Sequence, residues 1–119
     1  MLGKEEKMLI ALTALLLHPV PAAVPASISR EPQMLFSRAD YPLATLSAGE
    51  HGSADVKLQI SQEGRVRGCT VVKSSGSTTL DLTTCSILKR RARFTPARDA
   101  QGRPTDDTYL TTIVWKLPG

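Results

Sequence analysis

Val56, Leu58 and Ile60 alternate with Asp55, Lys57, Gln59 and Ser61, and no other stretch of the chain restricts its fold as tightly. A period of two with one apolar and one polar side is the pattern of a half-buried strand. Such a strand needs a hydrogen-bonded neighbour and a covering layer on one face only, which is the usual condition of an antiparallel sheet. Gln62-Glu63-Gly64 supplies a glycine-containing turn, and residues 65–73 return as a second strand, so the segment reads as a hairpin. Val66 and Cys69 are an odd number of positions apart, so both reach the core side only if a bulge intervenes near Arg67-Gly68. Cys69 and Val71 then point towards the helix expected next in the chain.

Ser74-Ser75-Gly76-Ser77 turns the chain, and Thr78-Thr79-Leu80-Asp81 opens a helix in the manner of a capping box, with Asp in the place of Glu or Gln. Leu80, Thr84, Cys85, Leu88 and Ala92 fall at helical spacings and form a stripe to be buried, with Ile87 on its flank. Pro96 is the expected stop, and residues 99–104, with Gly102 and Pro104, form a turn. Residues 108–116 are rich in β-branched and aromatic side chains and read as the last strand. Tyr109, Thr111, Ile113 and Trp115 share one side of it and Leu110, Thr112 and Val114 the other. Both sides are partly apolar, so the pattern leaves open which one meets the helix. Upstream, residues 43–46 form one helical turn after Pro42, which presets φ for a first helical position. The order is β-β-α-β, which makes a two-layer α+β domain: a small antiparallel sheet with one main helix on one face.

The first 26 residues have a different character. Lys4 and Lys7 precede an apolar run over residues 8–17, followed by His18-Pro19 and small residues. About 20 apolar residues are needed to span a bilayer, so the run reads as the core of a secretory signal peptide, with cleavage before Ser27 or before Ala23. A short uncleaved anchor is the alternative. Residues 27–40 show no sustained period and read as a flexible lead-in.

In an exported chain a single pair of cysteines, Cys69 and Cys85, is most simply a disulfide. With the intervening loop, the chain-entropy model gives it about 3 kcal/mol. Cys-x-x-Cys spacing is missing, and two cysteines with His51 cannot complete a tetrahedral zinc site. The leader's lysines and glutamates cancel, so the net +4 of the 119-residue chain belongs to residues 27–119. Lys89, Arg90, Arg91, Arg93, Arg98 and Arg103 supply much of that charge. They read either as a patch for anionic partners or as a solvated helix end whose cations offset the macrodipole. Aromatic side chains are too few and too remote from this cluster for base stacking, which excludes nucleic acid as the partner.

No enzyme is expected. Ser74, Ser75 and Ser77 have no base in sequence reach, His51 lies in a glycine-flanked loop, and Gly-x-Ser-x-Gly is absent. Asp106-Asp107 read as a solvated start of the last strand, and no cofactor motif is present. Ser75-Gly76-Ser77 could be an anion nest at a helix start, but ordinary capping explains it without extra glycines or a lysine.

Tyr41-Pro42, Ser74-Ser75-Gly76-Ser77, Leu80-Asp81, Arg93-Phe94-Thr95-Pro96-Ala97, Gly102 and Trp115-Lys116-Leu117-Pro118 occur in one order that resembles the C-terminal domain of the TonB family. These periplasmic proteins couple inner-membrane energy to outer-membrane transporters. The resemblance covers about residues 40–119 and implies a domain over 41–119, binding rather than chemistry, and a periplasmic location, tethered to the inner membrane if the leader is kept. It implies that the last strand, from Thr108 to Lys116, pairs with the N-terminal segment of a TonB-dependent transporter. Inner-membrane energising proteins join the expected partners if the leader is an anchor. The stretch between the end of the apolar run at Leu17 and Tyr41 reaches about 70 Å when fully extended, at roughly 3.3–3.6 Å per residue, which limits force transmission across the periplasm. A second expectation is a structural module that binds cell-wall material, or a second copy of itself, through the basic cluster.

Overall fold

A computed structural model describes residues 22–118; the leader expected over 1–26 therefore lies outside the described residues up to residue 21. The alternating segment forms β2 (Gly52–Ile60) and the returning one β3 (Val66–Lys73). The short strands of the chain are β1 (Ser27–Ile28), β4 (Phe94–Thr95), β5 (Ala97–Arg98) and β6 (Pro104–Thr105), and the last strand is β7 (Asp107–Trp115). α1 (Leu43–Ser47) is the helical turn after Pro42, and α2 (Thr78–Arg91) is the main helix. The central sheet has the order β3-β2-β7, antiparallel throughout. Two small antiparallel pairs, β1 with β4 and β5 with β6, stand beside it.

The core forms where the apolar side of β2 meets α2. Ala54, Val56, Leu58 and Ile60 are buried against Leu80, Ile87, Leu88 and Ala92. At about 25 cal/mol per Å² of apolar surface, this interface dominates the favourable side of folding. The bulge expected near Arg67-Gly68 is present: Gln59 pairs with Gly68 and Ile60 with Val66, leaving Arg67 as the extra residue. A second shift, between Asp55 and Val56, leaves Val72 unpaired. The alternation does not foretell it, because both residues around Val72 suit a strand.

Two helix boundaries differ from expectation. The N-cap is Ser77, whose Oγ accepts from the Leu80 N–H, one residue before the expected cap. Asp81 consequently lies beyond capping-box reach and turns back on the preceding loop. Its carboxylate accepts from Ser74 Oγ, the Ser75 N–H at 2.9 Å and Ser75 Oγ at 2.7 Å. The anion held by the Ser-Ser-Gly turn is thus the chain's own. Burial pushes the Asp81 carboxyl up, but these hydrogen bonds outweigh it and hold it below the usual aspartate range. At the other end α2 stops at Arg91, well before Pro96, because the Phe94 N–H donates to the Gly64 carbonyl at 2.8 Å and Arg93 bridges to Arg65. Gly64 permits this approach: its φ is +80°, and a Cβ there would sit 2.0 Å from the Phe94 carbonyl oxygen.

Residues 22–40 are knitted into the domain. Val24 exchanges a pair of 2.8 Å backbone hydrogen bonds with Arg98, and the Ala26 N–H donates to Asp107 Oδ2 at 2.9 Å. Ala26 is buried. The segment read as a lead-in carries β1 and two 3-10 turns, Pro32–Leu35 and Arg38–Asp40.

Candidate functional site: the outer edge of the last strand

β7 lies at the border of the central sheet, and β2 is its one strand neighbour among the described residues. Their register is unbroken from Gly52↔Trp115 to Ile60↔Asp107. Side chains settle what the pattern left open. Ile113 and Trp115 are buried, Tyr109 and Thr111 half-buried, and this is the face that meets α2. Trp115 fixes it: its Nε1–H donates to Thr84 Oγ1 at 2.8 Å, and Thr84 Oγ1 donates to the Leu80 carbonyl at 2.7 Å. Leu110 and Val114 lie on the opposite, open face, 71% and 40% exposed. Thr112 on that face donates to Asp55 Oδ1 across the strand pair.

A strand edge is functional through its backbone. Val114 donates its N–H to Gln33 Oε1 at 2.8 Å and accepts from Gln33 Nε2 at 3.1 Å. Both polar groups of Val114 therefore point away from β2. In an antiparallel ladder this orientation recurs at every second residue, so the backbone groups of Thr112, Leu110 and Thr108 also point outward. Those of Ile113, Thr111 and Tyr109 face β2. Three clefts border the same strand. One of about 400 Å³ lies between Gln33, Phe36, Tyr41, Val114 and Trp115; one of about 430 Å³ runs along His51 to Ser53 and Val114 to Leu117; one of about 360 Å³ lies by Gln59, Arg67 and Asp106 to Thr108.

The segment that carries Gln33 is fastened at several points. Pro32 is buried, and Phe36 and Tyr41 meet Trp115 edge to face, with ring centroids 5.5 and 5.2 Å away. The Tyr41 hydroxyl donates to the Glu50 carbonyl. Arg91 donates to the Leu35 carbonyl at 2.9 Å and grips both carboxylate oxygens of Asp40 at 2.7 Å. The Arg91 guanidinium holds the Asp40 carboxyl far below the usual carboxylate range.

The basic cluster looks different once folded. Arg91 is committed to Asp40, and Arg103 bonds Asp99 at 3.2 Å. Arg93 donates to the Ala92 carbonyl and Arg98 to the Gly102 carbonyl. Lys89 and Arg90 are exposed on the last turn of α2. Cys69 and Cys85 form the expected disulfide, with Cα atoms 5.6 Å apart, joining β3 to α2. His51 is exposed beside the Gly49 carbonyl, and among the described residues no group of His, Cys, Asp or Glu is arranged to hold a metal.

Gln33 is the residue that sequence reasoning misses. It is a lone polar side chain in a segment without periodicity, and its partner lies 81 positions away. Among known protein families, the one described as the Gram-negative bacterial TonB protein C-terminal matches residues 37–117. No curated protein matches the chain.

Proposed function

The chain belongs to the TonB C-terminal family, and from that premise we propose that it is a periplasmic docking module that takes the N-terminal segment of an outer-membrane transporter along the outer edge of β7. Domains of this family are non-enzymatic and interact with such transporters. The observation that carries the reading is the unbroken register of β7 on β2, with the outward backbone groups of Thr108, Leu110 and Thr112 lacking a strand partner among the described residues. An extended peptide supplies the missing ladder, and side chains at alternate positions supply selectivity.

The module supports or modulates energy-coupled transport. Among the described residues no helix is long and apolar enough to cross a membrane. Export through the leader with cleavage before Ala23 keeps Val24 and Ala26 in their places against Arg98 and Asp107, whereas cleavage before Ser27 removes both. Mass measurement of the mature protein decides between the two.

The test of docking is an NMR titration of the oxidised domain with peptides from the N-terminal segments of TonB-dependent transporters. Shifts are expected at Thr108, Leu110 and Thr112. A well-folded domain that shows none with any peptide overturns the reading. Proline substitution must respect the ladder: at Ile113 it removes a donor facing β2 and disturbs a buried position, while at Leu110 it removes an outward donor and leaves the β2 pairing intact.

A further inference from the structure

We propose that Gln33 is a register stop: its carboxamide occupies the Val114 rung of the β7 edge, so that a docking peptide pairs along residues 108–112 and ends there. This rests on the docking reading above and adds the length and placement of the segment taken up.

A primary amide carries one acceptor and one donor group on a planar unit, as a peptide bond does. Gln33 presents that unit to Val114 as a neighbouring strand would, accepting at 2.8 Å and donating at 3.1 Å. The rung is therefore filled within the chain, and the same two backbone groups cannot serve a peptide while Gln33 is there. Leu110 and Thr112 remain with both outward groups lacking a strand partner among the described residues, and Thr108 with its carbonyl, since its N–H donates to Asp107 Oδ1 at 2.8 Å. At about 3.4 Å per residue, five residues of β7 offer about 17 Å of ladder.

A stop, rather than a loosely held lid, is the consequence of how the Gln33 segment is anchored. Freeing the segment would mean parting Phe36 and Tyr41 from Trp115 and Arg91 from Asp40 and the Leu35 carbonyl. Trp115 is itself tied to Thr84 on α2. The stop is thus set by the core of the domain, and a peptide that enters from the Thr108 end meets a fixed obstacle.

The test uses the full chain, with and without Gln33→Ala. Gln33 is exposed, so the substitution leaves the core untouched. Without peptide, the Val114 amide is expected to exchange slowly in the unaltered chain and at least about tenfold faster in Gln33→Ala, as an unpaired exposed amide does; equal exchange overturns the stop. With a transporter peptide of about five residues and one extended by about three, the unaltered chain is expected to bind both equally, with shifts ending before Val114. Gln33→Ala is expected to favour the longer peptide by about tenfold, with shifts reaching Val114. Gln33→Glu, which accepts from the Val114 N–H but offers no donor to its carbonyl, should fall between them. Shifts at Val114 in the unaltered chain overturn the stop and leave docking standing. If no peptide shifts β7 in either protein, docking fails and the stop fails with it.

Discussion

The central sheet has two borders, and they are built in opposite ways. β3 is interrupted by two bulges, at Arg67 and Val72, and its Arg65 end is engaged by Arg93. β7 runs nine residues on β2 without a shift; on its outer side the Gln33 amide covers the Val114 rung and the Asp107 carboxylate accepts from the Thr108 N–H. Bulges and charges are how sheets blunt an edge against unwanted pairing. A domain that disables one border and keeps the other straight is the arrangement that the proposed docking along β7 requires. The two are also fastened to α2 by different chemistry: β3 through the Cys69–Cys85 bond, β7 through the Trp115–Thr84 hydrogen bond and the aromatic rings on Trp115.

The largest effect is expected from cutting the β7 fastening. Trp115→Ala removes a buried indole and its bond to Thr84, and should cost about 3–5 kcal/mol, read as a fall in the urea midpoint. A loss below about 1 kcal/mol would mean that β7 is held by its ladder alone. On the β3 side, replacing Cys69 and Cys85 together by alanine should cost about 3 kcal/mol and leave peptide affinity at β7 unchanged. Equal damage to binding would join the two borders functionally and spoil the contrast.

Leu110→Pro tests the borders by function. It should weaken transporter-peptide binding at least about tenfold, one outward rung with its neighbours being lost, while Val72→Lys on β3 leaves it as it was; calorimetry with both proteins gives the answer. Ser77→Ala, which removes the α2 cap shared by both fastenings, should lower stability by about 1 kcal/mol with no change in binding.

The smallest effect concerns acid. The folded pKa of Asp40 is depressed by Arg91, so the pair's contribution is complete above the ordinary aspartate value of about 3.9 and fades as pH falls below it. Asp40→Asn should therefore be less stable than the unaltered chain by a constant amount from pH 5 to 8, and the gap should close in more acidic solution. A gap that persists at low pH would assign the contact to geometry rather than charge.

The sequence made the elements legible where the physics is local. Alternation at Val56, Leu58 and Ile60 set β2, Gly64 set the hairpin, and the odd spacing of Val66 and Cys69 required the bulge at Arg67. The helical stripe at Leu80, Thr84 and Leu88 likewise placed the layer that covers the sheet. β7 was legible as a strand, and the family resemblance made its edge the expected docking site; the rungs of that edge were not legible. Which backbone groups of β7 point outward depends on the ladder with β2. Which side of β7 faces inward depended on Thr84 meeting Trp115, 31 positions apart.

The strap around residues 32–40 was illegible for the same reason. Gln33, Asp40 and Arg91 carry no periodic signature, and each acquires its role from a partner at least 51 positions away. Periodicity and turn chemistry act over a few residues and so determined the β-β-α-β order and the one-sided core, while the disulfide followed from there being a single pair of cysteines. Contacts between distant segments are chosen by packing, once burial of that core has brought the segments together. Only the tertiary structure could therefore decide that one edge of the sheet stays open along residues 108–112 and is closed at Val114.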